Sequence, residues 1–529
     1  MIDFSKKKFL VVDDFSEFRS SIRGILRLLG VQDIDMAANG NEVLELCRHK
    51  RYDAILHDYN LGDGLNGQQV LEQLHAEQLL SPHCIFIMVT AENTQAMVLA
   101  ALECQPDDYL TKPFNKVTLQ TRLERSARRK QVLAPVLSAL ESADSTAVLQ
   151  ACHDITQQDP RHAVLCHTHI ATALANLGRY QELAEFLEEH ARSRPTGWNL
   201  QALAKLWLQQ GKLEQAARLL TAAVRQFPMM PELLDMQAEL ARLNHDLPAT
   251  VDALQQAASM SPNTLRRQIK LACHAWLNND PDTAQQAIRL VWDIGRYSSI
   301  FDPELLWQLA SMLSTGTAAK KALDEAHQWL SIIEKHHKSA AHLLPAVALL
   351  RTAEQQRKNP EATPSDLTPI VHSLTEHQHH YAAITLVQLG DWLAHLGENT
   401  AAQALWQCAA QRHAGTIGVL EQISTRLPAY DTQPLREALA QSQEAIALHY
   451  QEQNQAAQAL FEQALAQAPH LITLNIAAAH LYQDQLTQGQ TQAQQGLHAC
   501  LTRLVNLSKL EPESVEFTQM QTASELSPW

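Results

Sequence analysis

Over the first 125 residues, short continuous apolar runs alternate with stretches whose apolar positions recur at helical spacing. The runs at 9–12, 34–37, 54–57 and 84–89, and a fifth in "DYLTKPF", are too short for helices and end in polar turns. That is the pattern of strands buried on both faces. Helices are expected at 16–29, 40–48, 67–78 and 94–101, and from Lys116 onward. Five strands and five helices in strict alternation predict an α/β domain on a doubly wound parallel sheet. After about residue 130 the pattern is helical. Prolines at 160, 195, 228 and 262 follow Ala/Leu-rich segments at spacings of 35, 33 and 34, and a period of about 34 residues signals paired-helix repeats stacked into an all-α solenoid.

Open parallel sheets carry their functional site beyond the carboxyl ends of the strands. The first run ends in Asp13 and Asp14, the third in Asp58, the fourth in Thr90 and the fifth in Lys112. Three carboxylates on one rim repel one another unless a cation intervenes, and oxygen ligands suit Mg²⁺. With the charge offset, Asp58 can act as a carboxylate nucleophile toward phosphorus. The Lys112 ammonium and the Thr90 hydroxyl are then placed to meet phosphoryl oxygens.

These five residues, Asp13, Asp14, Asp58, Thr90 and Lys112, stand at the spacing of a known family. Residues 5–125 closely resemble the receiver domain of two-component response regulators, including the chemotaxis CheY type. The resemblance implies a sheet in the flavodoxin-like order 2-1-3-4-5 and phosphorylation of Asp58 by a sensor histidine kinase or phosphotransfer protein. It also implies Mg²⁺ held by Asp14 directly, Asp13 largely through water, Asp58, and the main-chain carbonyl of Asn60. Thr90 and Tyr109 match the family's switch pair, Lys112-Pro113 its cis peptide, and Asn60 and Glu92 the positions that tune phosphoryl lifetime, here the pair of a fast-decaying receiver. Two features depart from the family: "NLGDGLNG" after the acceptor is one residue longer than usual, with Gly62 where proline is common, and His57 precedes the acceptor. Strand alternation sends the His57 side chain to the face opposite Asp58, so packing is expected of it rather than phosphoryl chemistry.

The clearest repeat, at 197–228, resembles a tetratricopeptide (TPR) unit. Leu203, Ala204 and Trp207 fall on its first helix, Gly211 at the turn, Ala216, Leu220 and Ala223 on the second helix, and Pro228 at the exit. Small alanines let the two helices approach, and glycine relieves the turn. Weaker units carry Leu183 where alanine is preferred and His245 at the glycine position. A later pair supplies Leu389, Gly390, Leu393, Gly397, Ala402, Trp406 and Ala409, then Ala457, Phe461, Ala464 and Pro469. The expected division is a receiver domain at 1–125, a linker helix and solenoid cap at 126–160, and TPR-like repeats at 161–300. An irregular helical connector follows at 301–380, then repeats and C-terminal helices at 381–505, and a flexible tail at 506–529. The helix leaving Phe114 is expected to continue through "TRLERSARRKQVLAPVLSAL".

Composition narrows the function. The net charge is −15, 46 % of residues are apolar and 5 % aromatic, which favours packed helices and disfavours nucleic acid or an anionic membrane as partner. The basic stretch at 122–130 reads as a solvated helix face. Eight cysteines without a CxxC pair suggest buried thiols in a reducing cytoplasm. The amino-terminal apolar run is only four residues long, and no run of about twenty occurs, so a soluble, unsecreted protein is expected. "DEAH" at 324–327 lacks any phosphate-binding loop, and "EAL" at 437–439 lacks companion acidic motifs. His377 and His380 read as a solvated or interhelical cluster rather than a metal site, and Cys166, His167 and His169 diverge around a helix. The combination of receiver and TPR repeats resembles the VieB type of regulator. It implies a response regulator without enzymatic or DNA-binding output, acting through a protein partner on the solenoid; homodimerisation stays open. A constitutive scaffold with the receiver as phosphate sink, and an unrecognised output within 300–380, are the alternatives.

Overall fold

The computed structural model describes residues 2–62, 64–91, 99, 106–298, 301–315, 320–336, 338–359 and 366–508. The chain divides into two compact units, 1–179 with 258–264 and 294–301, and 180–257 with 265–293 and 302–529. Of the expected elements, the helix at 94–101 apart from residue 99, and residue Glu92, lie outside the described residues, as do Cys104 and 509–529.

The first unit opens with β1 (Lys8–Val12), α1 (Ser16–Leu28), β2 (Asp33–Ala37), α2 (Gly40–His49), β3 (Ala54–Asp58), α3 (Gly67–Ala76), β4 (Ile85–Thr90) and β5 (Asp108–Thr111). All pairings are parallel, in the order β2-β1-β3-β4-β5. The strict alternation of side chains explains the two cores. Leu10, Ile55 and Phe86 pack with Val43, Leu71 and Leu74 on one face, while Phe9, Leu56 and Ile87 pack with Ile22, Leu26, Leu119 and Leu123 on the other. Central strands β1, β3 and β4 are buried nearly throughout, and the edge strands β2 and β5 are partly exposed. Asn39 and Asn66 cap α2 and α3 through their side chains, and Asn115 caps α4 (Lys116–Val132).

The helix leaving Phe114 is not continuous through Leu140 as expected. It ends at Val132, and α5 (Ala134–Glu141) begins after Leu133, with Pro135 in its first turn; proline has no N–H with which to extend the preceding helix. The pair α5 and α6 (Ser145–Gln158) closes with Ala143 at φ 51° and the bond Asp144 N to Ala139 O at 3.1 Å.

This turn is the signature of the repeat. Left-handed residues recur at Ala143, Gly178, Gly211, His245 and Asn279, and again at Gly397, Glu452 and Gly489. After each, an amide reaches back to the preceding helix, as in Lys212 N to Trp207 O at 2.8 Å and Asp246 N to Ala241 O at 2.9 Å. The pattern is a helix-ending motif that glycine adopts without steric cost and that His245 and Asn279 adopt at one. In the second unit Leu203, Ala204, Ala216, Leu220 and Ala223 are buried, and Leu389, Leu393, Ala402, Trp406, Ala409, Ala457, Phe461 and Ala464 likewise.

Gly390 makes one close approach explicit. A Cβ there would overlap the indole of Trp406, whose Nε1 donates to Val387 O at 3.1 Å. Gly390→Ala is therefore expected to lower stability by about 1–3 kcal/mol, read as a shift in the urea midpoint. An unmoved midpoint would mean that the helices Ala383–His395 and Asn399–His413 separate without cost.

Within the stretch expected as an irregular helical connector, one helix lies deep in the core. Helix Glu304–Ser314 is buried along its whole length, with Trp307 fully enclosed. Gln308 donates to Thr385 at 3.0 Å, and Trp392 Nε1 donates to Ser311 at 2.8 Å. A helix covered on all sides loses the one-sided periodicity that repeat spacing depends on. Burial, and after it Asp302, pushes the Glu304 carboxyl up to about 8, against Thr385, the Ala382 amide and Arg412. The folded value lies above the ordinary 4.5, so this group's stabilisation is full below about 4.5 and is lost as pH rises up through about 8. Glu304→Gln, uncharged throughout, is expected to gain in melting temperature over the wild type between pH ~5 and ~8.5; a constant difference would refute a neutral Glu304.

The last described helix, Ala493–Ser508, runs past 506, where the tail was expected to begin.

Candidate functional site

Three strand ends and the β5–α4 loop meet at the carboxyl edge of the sheet. Asp13 is fully buried, Asp58 nearly so, and Asp14 is exposed. Their carboxylate oxygens lie within 4.8 Å of one another. Lys112 Nζ bridges two of them, 2.5 Å from Asp13 Oδ2 and 2.8 Å from Asp58 Oδ2. Burial, then Asp13 and Asp14, push the Asp58 carboxyl up to about 6 against the opposing Lys112. Burial works against the Lys112 ammonium, yet its bonds to Asp13 and Asp58 hold it above its ordinary range.

Three carboxylates thus share one ammonium. The rim is short of positive charge, and its donors are hard oxygens, so the residues present fit Mg²⁺. Asn60, named as a main-chain ligand, lies two residues beyond Asp58, its side chain accepting from Gly62 N at 3.2 Å. Gly62, at φ 71°, sits against Asp14, so the longer loop folds back over the acidic rim through a left-handed glycine.

Thr90 is buried at the end of β4, beside Thr111, and its carbonyl accepts from Lys112 N at 2.7 Å. Tyr109 is half-buried, lies beside Met88, and packs on the core face that carries α2 and α3. The Lys112-Pro113 peptide is cis. His57 is fully buried and stacks on Phe86 at 5.7 Å, its Nδ1 donating to Asp58 O at 2.6 Å. Burial pushes its pKa down to about 4, which fits packing, as the strand alternation predicts.

Three contributors carry no sequence signal of their own. Arg19 Nη1 donates to the carbonyls of Asp13, at 2.5 Å, and Asp14, at 3.1 Å, pinning the acidic turn. Phe18 lies under Lys112, its ring centre 4.3 Å from Nζ. At Gly67 a Cβ would stand 2.7 Å from Asp58 O, so the loop passes behind the acceptor only as glycine. The basic stretch keeps Arg125 and Arg128 exposed, and its charges are paired. Arg122 and Arg125 pair with Asp108, Arg129 and Lys130 with Asp107, and Arg128 with Glu124.

Elsewhere, the described cysteines are free thiols, six of them buried and Cys273 half-buried. His377 and His380 stand 6.1 Å apart with His342 beside His380, and His377 Nδ1 donates to Ser373 O, so they form the expected histidine cluster. Cys166 is buried against Cys152. "DEAH" and "EAL" lie within the helices Lys320–His336 and Gln433–Tyr450. Among the described residues no helix is long and apolar enough to cross a membrane. In the second unit a cleft of about 570 Å³ is lined by Lys205, Lys270, Arg242, Glu239, Leu254 and Ile446 among others.

A parallel 2-1-3-4-5 sheet whose carboxyl edge gathers three aspartates, a threonine and a lysine defines a signalling receiver. The sequence model described as "Response regulator receiver domain" matches residues 9–124. The chemotaxis protein CheY-3 of Vibrio cholerae serotype O1 is 30 % identical over 122 residues, 23 % of this chain and 92 % of that protein. The chemotaxis protein CheY of Pseudomonas aeruginosa is 31 % identical over 122 residues, 23 % of this chain and 97 % of that protein. A solved CheY-like receiver domain protein from Methanospirillum hungatei JF-1 is 26 % identical and covers 24 % of this chain and 96 % of its own, with a TM-score of 0.22. Through its amino-terminal domain the chain belongs to the response regulator receiver family. Along the chain that domain is followed by a long helical region of TPR-like pairs.

Proposed function

We propose that this response regulator accepts a phosphoryl group on Asp58 from a histidine kinase or phosphotransfer protein, and that its helical region holds a protein partner under control of that phosphate. The observation that carries the reading is the placement of Asp58, buried 2.8 Å from Lys112 and beside two further carboxylates. A carboxylate oxygen of Asp58 forms the new bond to phosphorus as the phosphorus–nitrogen bond of the donor phosphohistidine breaks, and the imidazole leaves with that electron pair. The Lys112 ammonium follows the incoming phosphoryl oxygens, and the Thr90 hydroxyl donates to another. Mg²⁺ held by Asp13, Asp14, Asp58 and the Asn60 carbonyl would supply the charge that lets two anions approach. Thr90 moving toward the phosphoryl group frees space for Tyr109, changing the surface around β5 and α4.

The partner-binding part rests on the repeat architecture, whose inner surfaces suit peptides and proteins, and the cleft lined by Lys205, Lys270 and Arg242 is the candidate contact. Burial of helix Glu304–Ser314 supports reading 300–380 as part of the scaffold rather than as a separate output. The test is affinity capture with the full chain, comparing beryllofluoride-treated protein with Asp58→Asn. Partners retained by one state and not the other support phosphate control; identical retention in both makes the helical region a constitutive scaffold.

A further inference from the structure

Within the second unit, two histidines and an aspartate from separate helices converge. His480 and Asp484 lie one turn apart on helix Ile472–Thr487, and His449 lies at the end of helix Gln433–Tyr450. One ligand atom from each falls within 4.8 Å of the others. His449 and Asp484 are buried and His480 is half-buried. His449 Nε2 stands 3.1 Å from Asp484 Oδ2, which also accepts the Tyr180 hydroxyl at 2.6 Å.

Tautomers make this cluster informative. His449 Nδ1 faces Asn454 Oδ1 at 3.0 Å, and the Asn454 amide nitrogen in turn points to Gln488 Oε1. A neutral ring that donates from Nδ1 to that carbonyl has a lone pair on Nε2. That lone pair then faces a carboxylate oxygen, an arrangement that repels unless a positive charge lies between them. Metal-bound histidines show the same outer arrangement, the distal N–H donated to a carbonyl. His480 adds a third donor, and no hydrogen bond to its ring is found among the described residues.

We propose that His449, His480 and Asp484 bind one divalent transition-metal ion, Zn²⁺ by ligand chemistry. Two imidazoles and one carboxylate suit Zn²⁺ and its neighbours rather than Mg²⁺, which takes oxygen; ligand atoms within 4.8 Å of one another are compatible with a single ion at bonds of ~2.0–2.2 Å. Water or the Tyr180 phenol takes the remaining position. The ion ties the end of one helix to the middle of another, next to the start of helix Tyr180–Ser193. This site is independent of the phosphoacceptor and of the proposed signalling role.

The experiment uses the full chain stripped by chelator, with Mg²⁺ in excess to saturate the receiver. Added Co²⁺ is expected to give the visible absorption of a four- or five-coordinate ion, displaced by Zn²⁺, and desalted protein should retain one Zn²⁺ per chain by elemental analysis. His480→Ala and Asp484→Asn should each weaken Zn²⁺ retention at least about tenfold, with phosphorylation at Asp58 unchanged. Should His480→Ala misfold by circular dichroism, His480→Gln replaces it, and the wild-type Co²⁺ spectrum decides in any case. Equal Zn²⁺ retention in wild type and variants, or a spectrum of the hydrated ion alone, overturns the assignment and leaves the His449–Asp484 contact as a hydrogen bond of the helix packing.

Discussion

Asp58→Asn is expected to reduce phosphoryl incorporation from acetyl phosphate by more than about a hundredfold, the usual outcome when a nucleophile is removed, read by intact mass with Mg²⁺ present. The amide keeps the shape and the contact with Lys112 but offers no anionic oxygen to phosphorus. The neighbours cannot substitute. Asp13 is buried against Lys112 and held by its own loop, accepting from Phe15 N at 2.9 Å, and His57 is turned into the core against Phe86. Wild-type labelling in the Asn variant would relocate the acceptor and sink the signalling reading.

Arg412→Met is expected to remove about 3–5 kcal/mol from the stability of the helical region, the range for breaking a buried charged network. Arg412 is 4 % exposed, and its guanidinium donates to the carbonyls of Gln378, His379 and Leu507 at 2.9, 2.7 and 2.8 Å. It therefore satisfies main-chain acceptors from two segments about 130 residues apart, which methionine fills in volume but leaves without donors. Arg412→Lys should recover part of the loss, because an ammonium cannot reproduce the planar fork. The readout is the denaturant midpoint of the transition that removes helical circular dichroism. A cost below about 1 kcal/mol would mean that water reaches those carbonyls once the side chain shortens.

The receiver site was legible because each of its residues sits at the end of a local pattern. Asp13, Asp58 and Thr90 close apolar runs, Lys112 follows one, and parallel topology brings those ends to one edge whatever the details of packing. Repeat turns were legible at Gly211 and Gly397 for the same local reason, since the left-handed turn favours glycine. His245 and Asn279 hide the identical turn, because they hold it under constraint from the helices on either side.

What the sequence by itself determined was element type, strand order by resemblance, and the residues that meet at strand ends; all follow from periods of two or 3.6 residues and from turn chemistry. Only the tertiary structure decided that Arg19 clamps the acidic turn, that the basic face of α4 is neutralised by Asp107 and Asp108, and that Glu304–Ser314 is core. It alone brought His449 to His480 and Asp484. Such meetings depend on how helices pack across long separations, a property of the assembled interfaces that no single segment carries in its own pattern.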